Sequence, residues 1–118
     1  MNQITIIGRL ASAPEVKKSN SGTSYVQVSV AVPRESKKDS AVDWIPCAFV
    51  NKAAEIIGMY TDKGSRIVIN GRLQSRSYED EGKKRTSYTV LVNDFTIIDF
   101  KEAEKKEDNT SNDIPFEV

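Results

Sequence analysis

The chain has no histidine and a single cysteine, Cys47. The first absence excludes His-based catalytic triads and His metal sites. The second excludes an internal disulfide and suits a reducing cytosol. A thiol nucleophile needs a base, and no histidine exists to serve, so Cys47 reads as an inert core residue. No apolar run is long enough to span a bilayer, and the N-terminus lacks a secretory pattern, so a cytoplasmic location is expected. Net charge is absent too, with 17 Lys+Arg against 17 Asp+Glu. Asp39 and Asp43, and the run Glu79, Asp80, Glu81, read as solvated charge rather than metal ligands. No carboxylate pair or phosphate-cradling glycine loop appears. The expectation is binding rather than turnover, with no cofactor.

What is present fits one globular domain: 118 residues, 38% of them hydrophobic, enough for an ordinary core. The zero net charge hides an asymmetry. Residues 1–100 carry 14 Lys+Arg and 11 Asp+Glu, a balance of +3, while residues 101–118 carry 3 and 6, a balance of −3. A weakly basic body with an acidic tail is one arrangement found in nucleic-acid proteins.

The stretch KGSRIVINGRLQSRSY, from Lys63 to Tyr78, organises the rest. Its period is 2. Ile67, Ile69, Gly71 and Leu73 share one face. Arg66, Val68, Asn70, Arg72, Gln74, Arg76 and Tyr78 share the other. One face can enter a core, while the other shows three guanidiniums and ends on a ring. Cations beside an exposed ring suit a polyanion with stackable bases.

In chain order, residues 2–10 form a first strand with Ile on both parities, which predicts cover on both faces, from the core and from another subunit. Gly8 inside it marks a bulge or a close backbone approach. Residues 11–23 form a loop carrying Lys17 and Lys18. Residues 24–32 form the clearest strand, with Val26, Val28, Val30 and Val32 on one face and Tyr25, Gln27, Ser29 and Ala31 on the other. Residues 34–42 form a charged loop, long for a hairpin. Residues 43–50 form a third strand with Ile45, Cys47 and Phe49 facing one way and Trp44, Pro46, Ala48 and Val50 the other. Pro46 cannot donate to a ladder and marks an edge or an irregularity.

Residues 51–63 change to helical spacing, with Asn51 as N-cap, Lys63-Gly64 as stop and an apolar face of Ala53, Ile56, Ile57 and Tyr60. Gly58 weakens such a helix by about 1 kcal/mol against Ala, so close packing is expected there. The fourth strand is the organising stretch. After a turn at 79–84, with Gly82 available for positive φ, residues 85–100 form the fifth. Tyr88, Val90 and Val92 alternate there with Thr89, Leu91, Asn93 and Phe95. Residues 101–118 have almost no apolar content before Ile114 and are expected to be disordered.

Strand, strand, strand, helix, strand, strand is the order of an all-β, five-stranded Greek-key OB barrel with its helix between strands 3 and 4. The domain is placed at 1–100 and the tail at 101–118. In that barrel Trp44, Tyr78 and Tyr25 form one aromatic surface flanked by Arg72 and Arg76. A stack on such a ring is worth about 1–3 kcal/mol per base and tolerates any base. Phosphate neutralisation supplies a salt-sensitive remainder.

The segments ITIIGRL, APEV, VQVSVAV, DW, NKAAEIIGMYTDKGSRIVINGRLQSRSY and VLVNDFTII resemble, in this order and spacing over residues 2–100, bacterial and phage single-stranded DNA-binding proteins, the SSB family. The block NGRLQSRSY after a KGS turn is the most telling. The resemblance implies an OB fold, usually a homotetramer, that coats single-stranded DNA without sequence preference and hands it to replication, recombination and repair enzymes. Carried over by motif position, Trp44 and Tyr78 fall on stacking positions, Lys52 and Arg76 on backbone-contacting positions, and Lys17 follows PEV where the family often has a basic residue. Lys18 and Arg9 complete the expected DNA-binding set.

Asp113, Ile114, Pro115 and Phe116 resemble the acidic-hydrophobic tip by which the family recruits partners, although here Glu117 and Val118 follow Phe116. The family usually places Phe or Trp at the position of Val50. The loop after the second strand has only polar residues around Ser36, where some members carry a ring. Fewer rings imply weaker binding or a smaller site. The competing expectation is an OB-fold replisome adaptor that acts mainly through protein–protein contacts.

Overall fold

The computed structural model describes residues 1–34 and 41–101. Along these run β1 (Ile4–Leu10), β2 (Lys17–Lys18), β3 (Ser24–Pro33), β4 (Val42–Val50), α1 (Lys52–Tyr60), β5 (Arg66–Asp80) and β6 (Lys83–Ile97). The expected five strands and the helix are all present. A two-residue strand, β2, is added within the loop after β1.

The strands hydrogen-bond in the order β1-β5-β6-β4-β3-β2, and β1 also pairs with β3. That last pairing, at Arg9–Ala31 and Leu10–Val30, brings the ends of the five long strands together into the OB barrel. It requires β1 and β3 to approach closely. A Cβ built on Gly8 would lie 2.4 Å from the Ala31 carbonyl oxygen and 2.8 Å from Val30 Cγ1. The glycine inside a strand pattern is therefore explained by the closure of the barrel.

The core follows the alternation. Val26, Val28 and Val30 of β3, Cys47 and Phe49 of β4, Ile67 and Ile69 of β5, and Val90 of β6 are buried together with Ile57 of α1. Phe49 meets Phe95 edge-on, with ring centroids 5.4 Å apart. The expectation that grouped Phe95 with Leu91 and Asn93 is corrected here. The β5–β6 register shifts at Asn70/Gly71: Asn70 faces Asp94, but Gly71 faces Val92. Asn93 is the extra residue, and a bulge of this kind reverses the parity of the strand beyond it. Phe95 therefore turns inward.

Pro46 sits in mid-strand opposite Ser29. The Ser29 carbonyl accepts from Ala11 N–H, so Ser29 addresses β1 and not β4. The main-chain groups of Pro46 therefore point away from β3, toward the side where β6 pairs only with Cys47 and Ala48. The missing donor falls where the ladder is thin.

Two boundaries differ from expectation. The helix ends at Tyr60 rather than at Lys63, with Thr61 Oγ1 donating to the Ile57 carbonyl. Asn51 occupies the N-cap position, but its side chain makes no cap, and its backbone carbonyl accepts from Ala54 and Glu55 instead. The β5–β6 hairpin also runs further than the expected turn at 79–84. Glu79 pairs with Lys84 and Asp80 with Lys83, leaving Glu81 and Gly82 as a two-residue turn in which both have positive φ. Opposite charges across the ladder favour this extension. The expectations for residues 35–40 and for the tail from 102 onward lie outside the described residues.

Candidate nucleic-acid interface

The outward face of the barrel is set by register. Tyr25 and Gln27 of β3 stand opposite Val50 and Ala48 of β4. Ala48 lies beside Leu91 of β6. Leu91, Thr89, Ser87 and Arg85 stand opposite Arg72, Gln74, Arg76 and Tyr78 of β5. Directly opposed residues share a face, and alternate residues of a strand return to it. Trp44, two steps along that face from Ala48, therefore projects with Arg72, Arg76 and Tyr78.

Neither ring is buried. Trp44 is 62% exposed and Tyr78 46% exposed. An indole at this exposure on a strand has given up its hydrophobic stabilisation and leaves an apolar ring face in water. The same face carries a polar groove. Gln27, Ala48, Gln74, Arg76, Ser87, Thr89 and Leu91 line its centre, drawn from β3, β4, β5 and β6. It continues over Ser12, Glu15, Lys17, Tyr25 and Gln27. Amide, hydroxyl and guanidinium groups line a path with rings beside it. Such a path can bind a backbone phosphate by charge while a base lies on a ring, and no titrating catalytic group is needed.

The other expected residues divide. Lys17 stands opposite Tyr25, on the same face, because β2 pairs there. Lys18 stands opposite buried Ser24, on the other parity. Lys52 opens α1 just past the end of β4 and is exposed. Arg9 is not brought into the group. Its Nη1 donates to the Gly64 carbonyl at 2.9 Å and lies 3.6 Å from Asp99 Oδ2. Asp99 also accepts from Arg66 Nε at 3.0 Å, and that hydrogen bond, more than the charge of Arg9, holds its carboxyl below the usual range. The four tip residues, Asp113, Ile114, Pro115 and Phe116, lie outside the described residues.

Reading the sequence missed Arg85 and the groove polar groups Gln27, Gln74, Ser87 and Thr89. The signal for them was the parity shared with Tyr25 and Leu91. Arg85 opened the expected fifth strand, but its parity was not followed back from Thr89 to the turn. Tyr88, grouped with Val90 on the core parity, is 54% exposed. It pairs with Ser75 on a part of the hairpin that overshoots the barrel, so there is no core beneath it. Among the described residues no group of His, Cys, Asp or Glu could hold a metal ion.

Comparison with known proteins agrees with the geometry. The model of the Single-strand binding protein family matches residues 1–98. A single-stranded DNA-binding protein of Fusobacterium nucleatum is 40% identical over 115 residues, which cover 93% of this chain and 73% of that one. Single-stranded DNA-binding protein B of Bacillus subtilis is 34% identical over 111 residues, covering 91% of this chain and 98% of its own length. With a family model spanning the whole barrel and relatives aligned over most of both chains, this protein belongs to the single-strand binding protein family.

Proposed function

We propose that this chain binds single-stranded DNA without sequence preference. Unpaired bases stack on Trp44 and Tyr78, with Tyr25 beside the path. Lys17, Arg72, Arg76, Arg85 and Lys52 neutralise phosphates, and Lys18 adds charge from the neighbouring parity. The observation that supports this reading is the exposure of Trp44 and Tyr78 on one face, which also carries a polar groove. Each stack contributes about 1–3 kcal/mol and accepts any base. Neutralised phosphates release counterions, so the affinity falls with salt. Duplex DNA hides its base faces and is a poor ligand for such a surface. Bound chains would shield single strands during replication, recombination and repair.

The assembly we propose is a homotetramer. Ile7 on the outer side of β1 is 56% exposed and stands opposite Val68 of β5, an apolar pair facing away from the core. A second copy would cover it. Residues 113–116 would recruit replication and recombination proteins.

Trp44 is the sole tryptophan, so its emission reports one site. Oligo-dT should quench it strongly, salt should reverse the quenching, and duplex should quench weakly. Unchanged emission at micromolar oligo-dT would instead support the adaptor reading. One observation favours that alternative: position 50, beside Tyr25 on the candidate face, carries an aliphatic Val50 rather than a ring.

A further inference from the structure

A further groove, of about 470 Å3, opens on the same face and has the size of a small-ligand cleft. It draws Thr89 from β6, Pro46 from β4, Gln27 and Ser29 from β3, and Ala11 and Ser12 from the chain just past β1. Pro46 alternates with Trp44 and Ala48 on the outward side of β4, about 7 Å along the strand from each. The groove shares Gln27 and Thr89 with the one that holds Arg76, and Ser12 and Gln27 with the one that holds Lys17. Gln27 is common to all three.

The three grooves differ in charge. Arg76 lines one, and Lys17 and Glu15 line another. Among the described residues, no charged side chain lines this one. A phosphate finds no cation here, so the neighbouring grooves suit the DNA backbone better. What this lining offers instead is the Gln27 amide and the hydroxyls of Ser12, Ser29 and Thr89. Each of these groups can both donate and accept. Among the described residues, none of the four side chains hydrogen-bonds within the protein. Their hydrogen bonds are open to the edge of a guest.

We propose that this groove takes the Watson–Crick edge of one unpaired base, with the Gln27 amide as its bidentate partner. The proposal rests on the single-strand reading and adds a contact that stacking does not supply. Every base presents a donor beside an acceptor on that edge. They are N6–H and N1 in adenine, N4–H and N3 in cytosine, N1–H and O6 in guanine, and N3–H and O4 in thymine. The Gln27 amide holds an NH2 group beside a carbonyl, and half a turn about its last bond matches either order. The hydroxyls adjust by rotation. A fixed donor such as Arg, or a fixed acceptor such as Asp, selects among bases. Groups that do both satisfy the edge without selecting. A polar base contact thereby coexists with indifference to sequence. It also occupies the edge that a complementary strand needs, so the bound base cannot pair.

The test titrates the full chain, by Trp44 emission, with oligo-dT and with an oligomer of 3-methylthymidine of equal length. The methyl group leaves the base face free to stack and removes the N3–H donor. The parent should bind the methylated oligomer about fivefold more weakly, the low end for a bidentate contact because the groove is open to water. Gln27→Met keeps the length of the side chain without its donor or acceptor. In that variant and in Gln27→Ala the ratio should fall to near one. Gln27 is exposed on β3, so both should melt with the parent. Tyr78→Ala should weaken both oligomers and keep the ratio. Equal affinities in the parent, or a ratio that survives both Gln27 variants, would overturn the proposal and leave the stacking reading intact. No binding of oligo-dT by the parent would overturn the single-strand reading, and this proposal with it.

Discussion

Tyr78 stands directly across the hairpin from Arg85, whose Nε lies 3.2 Å from Asp80 Oδ2. The cation nearest the terminal ring of the candidate face is therefore paired with a carboxylate when no nucleic acid is present. Both partners are about half exposed, and an ion pair at such exposure is worth little to stability. Under the proposed function its consequence is for binding, because Asp80 would compete with phosphate for Arg85. Asp80→Asn should tighten oligo-dT binding and steepen its salt dependence, while melting temperature stays nearly constant. Arg85→Ala should weaken binding and lower the salt slope by about one phosphate contact. Fluorescence titration at two salt concentrations measures both.

The proposed stacking role of the rings is tested by removal and by addition. Trp44→Ala or Tyr78→Ala should each cost about 1–3 kcal/mol of single-strand affinity, the value of one stack. Val50 offers the converse. It is 47% exposed and stands opposite Tyr25 on the same face. Val50→Trp should strengthen binding by a comparable amount. A salt-titration midpoint unmoved in all three variants would count against the assigned face.

The period-2 pattern of residues 24–32 and 66–78 carried the fold, because a strand with one buried face must alternate. It placed Trp44, Tyr25, Arg72, Arg76 and Tyr78 on one surface for the same reason. What it could not carry was a change of parity within a strand. The bulge at Asn93 arises from the pairing of β5 with β6, so nothing local in VLVNDFTII marks Phe95 as inward. The surroundings of Arg9 were illegible for a different reason. Its partners Gly64 and Asp99 are 55 and 90 positions away in sequence, and only barrel closure brings them together. The pairing of Glu79 with Lys84 and Asp80 with Lys83 was hidden, since strands that continue through EDEGKK are selected by cross-strand charge pairs rather than by apolar spacing.

Asp99 links β6 to β1 and β5 through Arg9 and Arg66, and its carboxyl is held below the usual range by the Arg66 hydrogen bond. A depressed folded-state value means the ionised form is favoured in the folded protein. The contribution to stability is present above the ordinary carboxylate range and is lost as pH falls through the lowered value. Asp99→Asn should therefore lower the melting temperature at pH 7, and the difference from the parent should shrink toward pH 2–3. The gap is expected to be small, because the site is open to solvent. Thermal melts across that range measure it.

Gly58 faces Val16 of the loop before β2, and a Cβ built on it would lie 2.4 Å from Val16 Cγ2. Alanine there improves helix propensity by about 1 kcal/mol but forces Val16 to move. In a Val16→Ala background the nearest remaining atom is Cβ, at 3.8 Å, an ordinary contact. Gly58→Ala should then stabilise by about the full propensity gain, and by less than that, or not at all, in the parent. A double-mutant cycle by urea unfolding gives the coupling. Additive effects would show that the loop does not rest on the helix.

Cys47 is buried and its thiol is pushed up to about 12 by loss of solvation. The thiolate is the reactive form, so at pH 8 the folded protein should react with iodoacetamide only through opening of the barrel. The rate should track the unfolding equilibrium and rise steeply in urea near the midpoint. It should be unaffected by saturating oligo-dT beyond the stabilisation that binding itself confers. Rapid labelling of the native protein, at the rate of a free thiol, would mean that the thin β4–β6 ladder beside Pro46 admits solvent to the core. A raised folded-state value also predicts an alkaline limb: stability is complete below the ordinary thiol range and declines as pH rises toward 12. Cys47→Ser leaves a thiol-sized polar group without that ionisation, so it should abolish the limb while lowering stability at neutral pH.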